Sequence, residues 1–184
     1  PRAVVLVFER ALEKTIEFAK MNSENAELVV GYYWRLDIPS RLSSRSDADV
    51  LDILIDGFRD GLDEVCKQSK EDGKELLTAY LNCEHLLFQR IAIYILRKYG
   101  VNYPELINQV LLHRDYLDNS EHSNEYRGLL RDQFSTASNE VREQVTLWIL
   151  SGPQDADSRA RWGDSEPTNE DRKRDQENWI LGHL

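Results

Sequence analysis

Cysteine, proline and glycine are all scarce in this chain, and their scarcity narrows the fold. Its 184 residues include 2 Cys, 5 Pro and 9 Gly. Two cysteines cannot build the disulfide framework of a small secreted domain, and they favour reduced, buried thiols in a cytoplasmic protein. Sheet-rich domains need more turn residues than these glycines and prolines supply. The composition therefore favours an all-α fold.

The sequence also lacks a basic surface and a long apolar run. The formal net charge is −10, and the densest basic cluster, Arg172-Lys173-Arg174, is flanked by acidic residues. Such a cluster is typical of a solvated helix face rather than of a phosphate-binding patch. No run approaches the roughly 20 apolar residues of a membrane helix. We therefore expect neither nucleic acid nor a membrane among the partners.

The beginning of the chain lacks an initial Met and the residue order of a signal peptide. Residue 1 already lies within an apolar periodic pattern. We therefore expect the chain to be a fragment of a larger cytoplasmic protein.

Helical periodicity is what the sequence has in abundance. Its clearest apolar stripe has steps of three and four residues, which place all members on one helix face: Leu51, Leu54, Ile55, Phe58, Leu62, Val65 and Cys66. The stripe predicts a helix over 47–69 with a solvent-facing side that carries Asp52, Asp56, Asp60 and Glu64. A turn at Asp72-Gly73 and a short helix over 75–83 follow. The next segment, over 86–96, is apolar nearly all round. We predict a helix with Gly100 at its C′ position, and a buried strand is the alternative.

Capping residues mark the later helices. Pro104 opens one helix, since proline is tolerated in the first turn. Ser138 caps another, which ends at Gly152-Pro153. Thr168 and Asp171 are placed to cap a last helix that carries Trp179.

The domain organisation follows from these elements. We predict a helical-repeat domain over 1–153, an acidic loop over 154–168, and a C-terminal helix over 169–184 that packs on the array or leads out of it. Helix starts near 48, 85 and 123 are spaced by somewhat under forty residues, which suits two-helix repeats. The expected architecture is stacked antiparallel helix pairs, either a HEAT/armadillo-like right-handed array or an irregular helical bundle.

No motif for catalysis or cofactor binding stands out. Gly73-Lys74 is followed by Glu75 where a phosphate-binding loop needs Ser or Thr. Neither C-x-x-C nor H-E-x-x-H occurs. We therefore expect no catalytic residue, no cofactor and no metal. One alternative is a small hydrolase in which Cys83, His85, His113 and His122 converge, and another is a structural oligomerisation spacer.

Protein binding is the favoured function, because aromatic and polar clusters make good anchors. The candidate contact residues are Tyr32, Tyr33, Trp34, Glu121, His122, Asn124 and Tyr126. The cluster over 121–125 has a second interpretation as a capped connection between helices. In a contact, His122 would make binding sensitive to pH.

Three stretches of the chain, 85–94, 121–134 and 141–153, together with Trp179, resemble the helical-repeat region of large bacterial STAND-type NTPases of anti-phage defence. In that family a HEAT-like helical array follows the ATPase module. The resemblance covers roughly residues 48–184. It implies a sensor that recognises a phage protein or holds the ATPase inactive, with nucleotide chemistry and the effector in other domains. No catalytic residue carries over to this sequence.

Overall fold

The computed structural model describes residues 2–22, 38, 50–118, 121–152 and 168–183. All regular secondary structure within these ranges is helical, which confirms the predicted all-α fold. None of the helices described there combines the length and the apolar character of a membrane span. The chain divides into two compact units, residues 1–103 and 104–184. The division falls inside the stretch 1–153 that the sequence assigned to one helical domain.

The first unit contains four described helices. They are α1 (Arg2–Asn22), α2 (Val50–Gln68), α3 (Lys70–Leu81) and α4 (Leu86–Tyr99), and α4 continues into a 3-10 turn over Gly100–Asn102. Helix α1 packs on α2, and α2, α3 and α4 pack on one another. The structure confirms the helices predicted over 47–69 and 86–96, which it places at Val50–Gln68 and Leu86–Tyr99.

The core of the first unit is built on the apolar stripe of α2. Phe58 is fully buried there, and its ring centroid lies 5.0 Å from that of Tyr80 on α3 and 4.9 Å from that of Phe88 on α4. Phe58 and Tyr80 meet edge to face, the arrangement that aromatic quadrupoles prefer. The Phe58 ring of α2 therefore packs against both α3 and α4.

Two glycines let α1 and α2 approach closely. A Cβ atom at Gly57 would lie 2.4 Å from the Phe8 ring, and one at Gly61 would lie 3.2 Å from Cγ2 of Val5. Glycines four residues apart share one helix face. The two helices therefore approach this closely because Gly57 and Gly61 have no side chains.

The predicted turn at Asp72-Gly73 is wrong. Both residues lie in the first turn of α3, whose N-cap is Ser69, and Ser69 Oγ accepts a hydrogen bond from the Asp72 amide at 3.2 Å. The glycine serves close packing instead, because a Cβ atom at Gly73 would lie 2.4 Å from Oη of Tyr103. Gly100 likewise lacks the left-handed C′ conformation, since its φ is −54° and the chain continues into the 3-10 turn.

The acidic side of α2 is less exposed than predicted. Asp52 is buried, and Arg59, itself buried, forms ion pairs with Asp56 at 2.6 Å and Asp60 at 2.7 Å. Arg59 Nη1 also donates to the carbonyl oxygen of Ile38 at 3.1 Å. The guanidinium thus offsets the repulsion expected between two carboxylates four residues apart.

The second unit contains five described helices. They are α5 (Pro104–Leu111), α6 (Arg114–Asp118), α7 (Ser123–Gln133), α8 (Asn139–Ser151) and α9 (Asn169–His183), with a 3-10 turn over Phe134–Thr136 between α7 and α8. Ser138 caps α8 as predicted, since its Oγ accepts a hydrogen bond from the Val141 amide. Gly152 ends α8 at a φ of 82°, a conformation that favours glycine. The predicted loop over 154–168 lies outside the described residues except for Thr168, the residue before α9.

The hydrogen bonds that cap α9 predict how the stability of this helix depends on pH. Thr168 Oγ1 accepts from the Asp171 amide at 3.2 Å, and the Asp171 carboxylate accepts from the Thr168 amide at 3.2 Å and from its hydroxyl at 2.6 Å. These bonds lower the pKa of Asp171 below its ordinary value of 3.8. Because the pKa of Asp171 is lowered, the cap stabilises α9 at pH values above 3.8. This contribution is lost as the pH falls through the pKa that Asp171 has in the folded protein. We expect an NMR titration of the Thr168 amide to show a midpoint below 3.8, and Asp171→Asn to abolish that transition. A midpoint at or above 3.8 would contradict the cap.

Candidate interaction surfaces

The predicted contact stretch from Glu121 to Tyr126 is mainly part of the internal structure. Tyr126 is fully buried, and its hydroxyl donates to the carbonyl oxygen of Leu111 at 2.9 Å. Burial raises the pKa of this tyrosine. His122 is 6% exposed and occupies the N-cap position of α7. These two side chains therefore cannot present a contact surface in this conformation, and the interpretation as a connection between helices describes them better.

The remaining predicted contact residues have different positions. Asn124 is exposed and Glu121 is half-buried, so a partner contact at these two residues stays a prediction. Tyr32, Tyr33 and Trp34 lie outside the described residues.

Two of the four histidines meet on one tyrosine ring. The centroid of Tyr116 lies 4.0 Å from that of His113 and 4.2 Å from that of His122, with interplanar angles of 12° and 30°. Stacked pairs of this kind stabilise a fold by about 0.5–1.5 kcal/mol. The role of Tyr116 was not predicted from the sequence, although Tyr116 lies three residues after His113, a spacing that brings side chains together at a helix start.

The other two members of the hydrolase hypothesis lie between α3 and α4. The half-buried Cys83 thiol donates to the carbonyl oxygen of Tyr80 at 3.1 Å. His85 is the N-cap residue of α4, and its ring meets Phe88 edge to face at 5.7 Å. Across the part of the chain that the structure describes, no group of three or more His, Cys, Asp or Glu side chains is placed to hold a metal ion. The described contacts of these residues are those of packing and helix capping.

The two cysteines should differ in reactivity. Cys66 is buried, and burial raises the pKa of its thiol from 9.0 to about 11, whereas Cys83 is half-buried. Because the thiolate is the nucleophile, we expect iodoacetamide to alkylate Cys83 in the folded protein and Cys66 only after unfolding. Peptide mass spectrometry with and without denaturant measures both sites. Equal alkylation of both thiols in the native protein would contradict the placement of Cys66.

A groove runs along α8 in the second unit. It consists of two adjoining concavities of about 550 Å³ and 240 Å³ that share Phe134 and Thr146. The larger is otherwise lined by Asn139, Arg142, Glu143 and Leu147, and the smaller by Leu130, Arg131, Ile149, Leu150 and Ile180. We call this surface the α8 groove.

The α8 groove presents apolar side chains to solvent. Leu147 is 61% exposed and Leu150 is 55% exposed, although Val145 and Ile149 on the same helix are buried in the second unit. Arg142 and Glu143 place both signs of charge at one end. An apolar centre with a charged rim is the composition of a protein-binding site.

Side-chain contacts hold the end of α8 in place beside the groove. Gln176 of α9 donates to the carbonyl oxygen of Leu150 at 2.9 Å, which links the last turn of α8 to α9. Arg114 donates to the Gly152 carbonyl oxygen at 2.7 Å, pairs with Asp118 at 2.6 Å and lies over the Trp148 ring. These contacts fix the end of the helix that carries both exposed leucines.

The sequence held one indication of this surface. Leu147 and Leu150 are an apolar pair three residues apart that lies off the buried stripe of α8. No protein-family model, curated protein or solved structure matches this chain. The resemblance to the defence NTPases therefore stays a prediction from the sequence.

Proposed function

We propose that this chain is a non-catalytic interaction module and that the α8 groove binds an apolar segment of another protein. The observation that carries the proposal is the pair of exposed leucines, Leu147 and Leu150, beside a concave apolar surface. Large apolar side chains that share one exposed face of a well-anchored helix are a feature of binding sites.

The expected contribution of these leucines can be bounded. Full burial of a leucine side chain stabilises by about 1.5–3 kcal/mol. Each of the two is already partly covered, so each can contribute roughly 1 kcal/mol when a partner completes its burial. That amount supports a contact centred on both leucines and on Phe134, with Arg142 and Glu143 orienting the partner through the charged rim.

The charge of the chain indicates the character of the partner. A net charge of −10 attracts basic proteins and raises their association rate. The best-matched occupant is therefore a segment with apolar anchors and flanking basic residues.

We also propose that the module belongs to the sensor region of a larger bacterial defence ATPase in the cytoplasm and that its partner is a phage protein. The support is the position of the α8 groove. Leu130 and Phe134 fall in the similar stretch 121–134, and Leu147 and Leu150 fall in the similar stretch 141–153. The residues that form the groove are thus those that carry much of the resemblance.

Photo-crosslinking in bacterial cells tests this proposal. The photoreactive residue p-benzoylphenylalanine replaces Leu147, or Ile53 as a control that is 55% exposed on α2 of the first unit. We expect a discrete adduct from position 147 and none of the same mass from position 53, with the 147 adduct appearing on phage infection. An adduct that forms with a host protein would support the module and contradict the phage sensor. The absence of a 147-specific adduct under both conditions would contradict both.

A substitution then measures the groove itself. Leu147→Asp places a charge in the proposed contact, and because Leu147 is exposed, the stability of the fold should change little. We expect the crosslinked partner to bind this variant at least tenfold more weakly by calorimetry, while Ile53→Asp binds normally. Equal affinities for the two variants would place the contact elsewhere.

A further inference from the structure

The walls of the α8 groove limit the backbone conformation of its occupant. The walls belong to α7, α8, α9 and the 3-10 turn before α8, and helices bond their backbone amides internally. An extended segment buried there would leave its own amides without partners, whereas a helical segment satisfies them within itself. Within the described ranges no strand offers an edge with which an extended segment could pair. The groove therefore favours a helical occupant.

The length of the groove matches a short helix. Its lining residues on α8 run from Asn139 to Leu150, eleven positions apart, which is roughly 16 Å along the helix axis. A helix of about three turns covers this length and presents apolar anchors at i, i+3 or i+4, and i+7 on one face. The two concavities meet at Phe134 and Thr146, so they can receive successive anchors of one helix.

The larger concavity is formed by one continuous part of the structure. All its lining residues lie within 134–147, inside the range 121–152 that the structure describes without a gap. Leu147, which lines it, keeps 61% of its surface exposed. The shape and the charge of this concavity therefore follow from α8 and the turn before it.

One charge of the groove is left for an occupant. The Arg142 guanidinium donates a hydrogen bond to the Asn139 side chain. Arg131 forms an ion pair with Asp132 at 2.9 Å. Glu143 lines the larger concavity, is exposed, and forms no ion pair with any residue that the structure describes. The complement of this carboxylate is a cation.

We propose that the α8 groove binds an amphipathic helix of about three turns, whose apolar anchors contact Leu147 and Leu150 and whose lysine or arginine pairs with Glu143. This inference rests on the proposed function of the groove. It adds the conformation of the partner segment and one specific charge contact. An ion pair beside an apolar contact selects between partners, because an acidic segment in the same place would meet a like charge.

A peptide-display selection on the full 184-residue chain tests the conformation of the occupant. Random peptides of about 16 residues, long enough for three turns with flanking residues, are selected against the unchanged chain and, in parallel, against Leu147→Asp. We expect the peptides enriched only on the unchanged chain to carry apolar residues at i, i+3 or i+4, and i+7, with Lys or Arg beside this stripe. Specific peptides with a two-residue apolar period, or with proline inside the apolar stretch, would overturn the inference and leave the groove as a binding site. If no peptide distinguished the two chains, the proposed function of the groove would fail as well.

Charge reversal tests the contact with Glu143. Fluorescence anisotropy measures the Kd of the most enriched peptide, and Glu143→Lys should raise this Kd at least about tenfold, because like charges then meet. A peptide in which Glu replaces the basic residue should recover the affinity for Glu143→Lys. The matched control is Glu84→Lys, an exposed position of the first unit that changes the net charge equally, and it should leave the Kd nearly unchanged.

Two results of the charge reversal would overturn the ion pair. One is an equal effect of Glu143→Lys and Glu84→Lys on the Kd. The other is a charge-reversed peptide that binds Glu143→Lys no better than the original peptide does. Circular dichroism confirms that each variant keeps its helix content.

Discussion

Replacing Phe58 with alanine should lower the free energy of unfolding of the first unit by about 3–5 kcal/mol. The ring is fully buried and contacts Tyr80 and Phe88 at centroid distances near 5 Å. Its removal leaves a cavity among three helices and ends both ring contacts. Single domains are stable by about 5–15 kcal/mol, so this one change should remove a large part of the total. Urea unfolding followed by circular dichroism measures the loss.

A matched control for Phe58→Ala lies on the same helix. Ile53 is 55% exposed, and Ile53→Ala should change the free energy of unfolding by about 0.5 kcal/mol or less. If both variants lost similar stability, the aromatic cluster would not be the centre of this core.

Gly73→Ala should destabilise the first unit by about 1–2 kcal/mol, although alanine is the better helix former. In an open helix the change would gain about 1 kcal/mol. Here the new Cβ atom would lie 2.4 Å from Oη of the fully buried Tyr103, 3.0 Å from Sγ of Cys66 and 3.1 Å from the Cys66 Cα atom. Overpacking of this kind costs about 1–3 kcal/mol and displaces neighbouring atoms. Thermal and urea unfolding of the variant measure the net effect.

A double variant isolates the cause of the Gly73 effect. Tyr103→Phe removes the closest atom, so Gly73→Ala should cost less stability in a Tyr103→Phe background than in the unchanged chain. Gly182 provides the opposite control, because a Cβ atom there would lie at an ordinary contact distance of 3.9 Å from Cζ of Arg127. Gly182→Ala should therefore be neutral or stabilising. Equal costs of Gly73→Ala in the two backgrounds would exclude the contact with Tyr103 as the cause.

The helices could be predicted because their causes are local. The stripe of α2 and the caps at Ser138 and Thr168 each depend on residues within a few positions of one another, and the structure confirms them. Gly73 could not be interpreted in the same way. A glycine that permits a turn and one that permits close packing look identical in sequence, and the deciding neighbour, Tyr103, is thirty residues away.

The surfaces were harder to predict than the helices. The polar cluster from Glu121 to Tyr126 suggested exposure, but His122 is buried and stacks on Tyr116, and Tyr126 is buried and donates to the Leu111 carbonyl oxygen. The exposure of Leu147 and Leu150 likewise depends on which apolar side chains the rest of the second unit leaves uncovered.

Several helices that follow one another along the chain also pack together. In the first unit α2 packs on α3 and α3 on α4, and in the second unit α5 packs on α6 and α6 on α7. A topology of such local pairings closes few long loops before its contacts form, so its folding barrier is low. We expect stopped-flow refolding from urea to show a dominant phase of about milliseconds or faster, and slow sheet-like kinetics would be incompatible with this order of assembly. A chain that forms its native helix contacts this quickly exposes its apolar surfaces to solvent only briefly. Rapid folding therefore protects the chain against aggregation as it emerges from the ribosome.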